Sequence, residues 1–284
     1  MKRLLALLLA ALLLTGCRGT ICPPPKVEDT PPESHTICPT PPPDMVAPGA
    51  DAPTQDCTIA HFLNENTALL YDEDGALYTL GITDLLITAQ DERVLSPDDL
   101  AVGQRVSVFF DGGIGLSYPG FFVEPTKLIV REASTNLLGL YLQLFDELWE
   151  MDSGINDGIS VLAFDFGSPF YQLLLTPPVE RSYALTQAQK NALFFILGSR
   201  LGYEVFESDF ETLCADGYII EEESGFCHFP GGLLFELKVE EECADSFQLV
   251  ISKWRSSLGA ILTHGEASCI DGRWSYTLAP FAIA

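Results

Sequence analysis

"SPDDLAVGQRVSVFFDGG", residues 96 to 113, decides the first half of the fold. Ser96-Pro97 begins a turn or short helix, because proline suits a first helical position whose N–H has no partner. Gly103 closes the loop. Val106, Val108 and Phe110 then share one face while Arg105 and Ser107 take the other, the period of two expected of a half-buried strand. Upstream, "TALLYDEDGALYTLGI" at 67 to 82 is two apolar runs around Asp72-Glu73-Asp74-Gly75, a hairpin with glycine where positive φ is needed. Downstream, "KLIVRE" at 127 to 132 is the last strand. Five or so short strands between Cys57 and Glu132 predict a small, mainly antiparallel β-barrel of the OB or SH3 type.

Between these strands, "DGGIGLSYPG" at 111 to 120 crowds three glycines into its first five residues but lacks the Lys and Ser/Thr of a phosphate loop. It also misses the G-x-S-x-G elbow by one residue. It reads as a glycine bulge or hairpin, then an edge segment that Pro119 stops from pairing further.

A second domain is expected from Ser134 to Ala284, after a barrel domain at 57–133. "STNLLGLYLQLFDELWEMDSG" carries a Ser/Thr/Asn cap, apolar residues at helical spacing, and Gly154 at its end. "ISVLAFDF" is a strand, and Pro169, Pro177 and Pro178 break the loop after it. Thr186 to Gln189 opens a helix running to about Arg200 with a capping-box pattern. "DFETLCADG" is a short third helix. "LLFELKV", "FQLVISKW", "GAILTHGEASCI" and "RWSYTLAPFAI" form an antiparallel meander, with turns at Pro230-Gly231-Gly232 and Asp271-Gly272. The whole predicts an α+β protein: a barrel followed by helices packed on an antiparallel sheet.

The chain has 284 residues, enough for two domains with cores of their own. Forty acidic residues against fifteen Lys and Arg give a formal charge of −25. A surface this acidic repels phosphate backbones, and no basic cluster interrupts it, so nucleic acid is excluded as a partner. Anionic headgroups repel it too, and membrane residence requires something covalent or inserted.

The first sixteen residues supply that. Lys2 and Arg3 precede eleven uninterrupted Leu and Ala, Leu4 to Leu14. Such a helix reaches about 16 Å, half of a ~30 Å hydrocarbon core, which fits a signal peptide rather than a span. Leu14-Thr15-Gly16-Cys17 resembles the lipobox of bacterial lipoproteins. That resemblance implies cleavage before Cys17, a diacylglyceryl thioether on its sulfur, and residence at the outer face of the bacterial membrane. Two acyl chains give stable anchoring where one is marginal. Loss of Lys2 and Arg3 takes the mature charge from −25 to −27.

Residues 17–56 read as a lipid-anchored linker. Eleven of the nineteen prolines lie between 23 and 56, with few large apolar residues, so the stretch is a polyproline-like tether of roughly 100 Å. "TICPPP" at 20 to 25 recurs as "TICPTPPP" at 36 to 43, which pairs Cys22 most naturally with Cys38. Disulfides are open among Cys22, Cys38, Cys57, Cys214, Cys227, Cys243 and Cys269, with no connectivity decided. Cys214, Cys227, His228 and Cys243 lack zinc-ligand spacing, so no metal or cofactor is expected.

Two functional readings follow. Trp254, Arg255, Trp274 and Tyr276 fall on neighbouring strands; on one face they make an aromatic platform with a guanidinium beside it, suited to a small molecule, glycan or protein. On opposite faces they are sheet core. The alternative is a hydrolase of cell-wall or peptide substrates, using Asp152, Ser153, Asp157 or Asp165 with His228 or His264. Ser153 reads more simply as a helix-terminal loop, and non-catalytic binding is the preferred function.

"DLAVGQRVSVFFDGGIGLSYPGFF" also resembles the "DL-VG-V-V-YDG-I-ESYPA" pattern of small β-barrel domains in Gram-positive lipoproteins, a group without an assigned activity. Leu116 and Gly120 stand where that pattern has Glu and Ala. "LWEMDSGIND", "KWRSSLGA" and "DGRWSYTL" resemble the C-terminal part of the same group, and the resemblance implies no active site.

Overall fold

The computed structural model describes residues 53–133, 135–167, 183–243, 245–279 and 282–283. The leader, Cys17, Cys22, Cys38 and most of the linker lie outside the described residues, as do Pro169, Pro177 and Pro178. The rest is a β-rich α+β fold built on two sheets.

The first sheet holds β1 (Thr54–Asn64), β2 (Thr67–Tyr71), β3 (Leu77–Gly81), β4 (Leu86–Ala89), β5 (Val94–Leu95), β6 (Gln104–Phe110), β7 (Ile114–Gly115), β8 (Gly120–Phe122) and β9 (Pro125–Ala133). Their order is β5-β4-β9-β6-β1-β2-β3-β8-β7. Most pairs are antiparallel, but β4 runs parallel to β9 and β3 parallel to β8. The strands outnumber the five expected because β4, β5, β7 and β8 are too short to show alternation. β1 starts at Thr54, ahead of Cys57. The turn helix is present at Pro97–Asp99.

The glycine-rich stretch differs from expectation. Tyr118–Pro119 is a cis peptide, and the residues after it pair on both sides, with β7 and with β3. Gly115 leaves room for the half-exposed Phe121 ring, which a Cβ at 2.1 Å would displace.

Ile59, Leu70, Tyr78, Val108, Phe110 and Leu128 meet in the first core. The reverse faces of β1, β2 and β3 are also buried: Ala60, Leu69 and Leu77 belong to the core of the second half. Burial on both faces explains the unbroken runs in "TALLY" and "GALY", where alternation fails.

The second half opens with α1 (Leu137–Glu150), capped by Asn136, whose Oδ1 accepts from Gly139 N at 2.9 Å. A short 3₁₀ turn, Ser153–Asn156, leads to β10 (Val161–Asp165). α2 (Gln187–Leu201) begins with the expected capping box at Thr186 and Gln189 and ends at Gly202, φ +73°. It connects β10 to β11 (Glu204–Glu207), and the two strands are parallel, the pairing that such a crossover permits.

After α3 (Phe210–Ala215) come β12 (Ile220–Glu221), β13 (Cys227–His228), β14 (Gly232–Glu242), β15 (Ser246–Ser256), β16 (Gly259–Ile270), β17 (Arg273–Leu278) and β18 (Ala282–Ile283). β10 is parallel to β14, while β14 to β17 form an antiparallel meander. The sheet is therefore mixed rather than antiparallel. "EVFE" at β11 is too short and too charged to announce a strand.

Leu144, Phe145 and Leu148 of α1, Leu193 and Leu197 of α2, and Phe164, Phe235, Leu249 and Ile251 of the sheet share the large core. Each such side chain contributes about 1.5–3 kcal/mol through burial. α2 also faces the first sheet: Asn191 donates from Nδ2 to Gly75 O at 2.8 Å, and Tyr118 meets Phe195 edge-on at 6.3 Å. No helix among the described residues is long and apolar enough to cross a membrane.

Candidate functional site

Two of the segments quoted above, "LWEMDSGIND" and "KWRSSLGA", meet in space. At the C-terminus of α1 the last carbonyls lose their helical partners and carry the negative end of the helix dipole. Asp152 turns the chain through the left-handed region at φ +44°. Into this turn β15 sends Lys253, whose Nζ donates to Trp149 O (3.2 Å), Asn156 Oδ1 (3.1 Å), Asp152 O (3.4 Å) and Met151 O. Lys253 is 0 % exposed, and burial pulls its ammonium down to about 8, against the partial support of Asp152 and Glu150. Arg255 completes the clamp, donating from Nη1 to Ile155 O and Asp157 O, both at 2.7 Å.

Arg255 is thus engaged with backbone rather than set beside an aromatic platform. The platform itself is divided. Trp254 pairs across β14–β15 with Leu234, on the face where Leu213, Ile219 and Phe229 gather, and meets the Phe210 ring edge-on at 5.0 Å. Trp274 and Tyr276 lie on the helix-facing side. Trp274 packs edge-on against Tyr183 (5.4 Å) and Phe247 (5.5 Å), with its buried Nε1 unbonded among the described residues. Tyr276 bonds the Glu147 side chain, and burial, then that bond, push its hydroxyl up to about 12. Opposite faces separate Trp254 from the other two, so the four residues form no single surface.

The residues of the hydrolase alternative are also dispersed. Ser153 and Asp152 belong to the turn clamped by Lys253. His228 stacks on Phe226 at 5.7 Å, with Nδ1 3.9 Å from Glu222. Asp165 holds Lys238 Nζ at 2.9 Å; Glu236 shares that ammonium at 2.6 Å and accepts from Ser252 Oγ at 2.5 Å. Burial works against the Lys238 charge, but the two carboxylates outweigh it and raise its pKa. His264, on the same face, stands 3.9 Å from Glu240.

The cysteines fall in three places, with Cys269, whose N donates to Asp245 O, at the same end of β15 as Cys243. Cys57 is buried in the first core. Cys214 and Cys227 pack around the small cluster beneath Trp254. Cys227 O accepts from Ser257 N, just past the end of β15, and Cys243 N donates to Ser246 O at its start. The length of β15 therefore separates Cys227 from Cys243. Among the described residues no three His, Cys, Asp or Glu side chains stand together as metal ligands.

A broad concavity lies in the first sheet. A depression of about 430 Å³ is lined by Ala89, Gln90, Asp91, Arg93, Leu95, Asp99, Gln104, Val130 and Arg131. Its rim is the tight β4–β5 turn, where Glu92 adopts φ +65° and Ala89 N donates to Arg93 O at 2.9 Å. Asp99 caps its own 3₁₀ turn, accepting from Ser96 N and Oγ at 2.8 Å each; those bonds, with Arg93 nearby, hold its carboxyl below the usual range. Arg131 is positioned from behind: its Nε donates to Ser107 Oγ at 2.6 Å, and that hydroxyl donates to Asp56 Oδ1 at 2.5 Å. Ser107 is consequently buried although it alternates with the core valines.

Sequence reasoning missed this site because its residues are contributed by β4, β5, the 3₁₀ turn, β6 and β9. The available signal was the scarcity of basic residues: fifteen in the whole chain, with Arg93 and Arg131 at one place. The chain matches no family model, no curated protein and no solved structure in the comparisons made.

Proposed function

We propose that the chain is an exported protein held by lipid on Cys17 at the outer face of the bacterial membrane, where it acts as a non-catalytic binding module. The reading takes the first sheet as an OB- or SH3-like barrel and the second as a helix-backed sheet, and places the chain with the Gram-positive lipoprotein group it resembles. The basic, apolar, small-residue leader ending at Cys17 supports the address. The depression between Arg93 and Arg131 carries the binding function: it is concave, polar, and large enough for a sugar or short peptide. The clamp on the α1 terminus and the fused cores support a scaffold role for the second half, which holds the barrel in place.

Mass spectrometry of the protein purified from membranes tests the address. A mature N-terminus at Cys17 carrying a diacylglyceryl group, and release into the medium of a Cys17→Ala variant, are expected. An unmodified Cys17 in the membrane-purified protein would overturn it.

A further inference from the structure

The chemistry of the depression selects among polar ligands once its donors and acceptors are counted separately. Its acceptors are engaged only in part, within their own loops. Asp99 takes two bonds from Ser96, Asp91 Oδ1 accepts from Arg93 N at 3.2 Å, and Gln104 Oε1 accepts from Ala101 N at 2.8 Å.

Its donors are less committed. The Arg93 side chain is exposed and makes no hydrogen bond within the described residues, although Asp99 lies within electrostatic reach. Arg131 spends Nε on Ser107, while its Nη2 is 3.9 Å from Asp56 and the side chain remains 48 % exposed. The Gln104 amide nitrogen adds a further donor beside them. Two guanidiniums with uncommitted N–H donors, beside carboxylates partly held by their own loops, suit an acceptor-rich ligand.

We infer, resting on the binding reading above, that the depression between Arg93 and Arg131 recognises a carboxylate on an otherwise uncharged sugar or peptide. A guanidinium presents two parallel N–H donors that match the two oxygens of a carboxylate. The charge of the chain favours a monoanion over a phosphate: at −25 overall, each further ligand charge meets additional repulsion that two local arginines must offset. The volume accommodates a monosaccharide or a dipeptide.

The test is calorimetric titration of the full chain in detergent with four probes: N-acetylmuramic acid, its carboxylate-free counterpart N-acetylglucosamine, N-acetyl-D-alanyl-D-alanine and N-acetyl-D-alanyl-D-alanine amide. Binding of a carboxylated probe, and loss of binding in its uncharged counterpart, is expected; whichever pair responds separates a sugar source from a peptide source. Arg93→Gln, which removes no structural contact, should weaken binding at least about tenfold while leaving the thermal midpoint unchanged. Arg131→Gln should weaken binding by a similar factor and also lower the thermal midpoint, since it gives up the bond to Ser107, and Arg273→Gln, on β17, serves as the charge control with unchanged affinity.

Equal affinity for charged and uncharged members of a pair, or full affinity in Arg93→Gln, would overturn the inference. So would silence toward all four probes. Titration with a complete cell-wall digest judges the binding reading separately, because a digest that binds independently of Arg93 keeps the module and refutes the carboxylate.

Discussion

Lys253 Nζ lies 3.1 Å from Asn156 Oδ1, and the same ammonium reaches the carbonyls that end α1. A buried cation at a helix C-terminus meets both the exposed carbonyl lone pairs and the negative end of the dipole. Lys253→Met keeps most of the aliphatic stem but leaves these oxygens without a donor. A loss of about 2–4 kcal/mol is expected in urea denaturation, with an unchanged slope. A variant as stable as the native chain would show that the clamp is idle.

The same lysine gives a pH dependence of known sign. Folded, it releases its proton near 8; unfolded, near its usual 10.5. Between those values the unfolded chain binds more protons, so stability rises with pH. Comparing wild type with Lys253→Met isolates the effect, since the variant has nothing to titrate there. The stability difference should move in favour of the wild type between pH 8 and 10.5 and stay flat below. A constant or reversed difference would contradict the assignment.

α2 makes one core of two sheets. Leu193 and Ile196 share a cluster with Leu69 and Leu77 of the first sheet and Phe164 of the second. Leu193→Ala should cost about 2–5 kcal/mol. Hydrogen exchange should show β2–β3 and β10 losing protection together in one transition. Weakening confined to the second sheet would show that the halves unfold separately.

Cys57 is shielded in the first core, and its thiol is pushed well above 9.0, by burial first and then by Asp72 and Asp56. Iodoacetamide at pH 8 on the reduced native protein should leave it unmodified while labelling the exposed Cys243. Equal labelling of both before denaturant is added would contradict the packing.

The readability of the sequence follows its local physics. The Gly75 hairpin and the Thr186 capping box were legible because a turn or a cap is fixed by residues within four positions of one another. β11 was not, because its strand character comes from parallel pairing with β10 across a whole helix. The aromatic residues were located on the right strands, yet the face of each depended on register. Lys253 was passed over inside "KWRS", since a lysine between apolar residues ordinarily marks a solvated position. The arginine-lined depression was illegible for a similar reason: Arg93 and Arg131 are thirty-eight positions apart, and only the placing of β4 beside β9 joins them.

The most direct measurement is calorimetric titration of the full chain with a soluble cell-wall digest, followed by mass analysis of the recovered fragments. Saturable binding at one site, with the fragments returned at unchanged mass, is the expected result. Absence of binding heat, or fragments returned shortened by hydrolysis, would contradict a non-catalytic binding module.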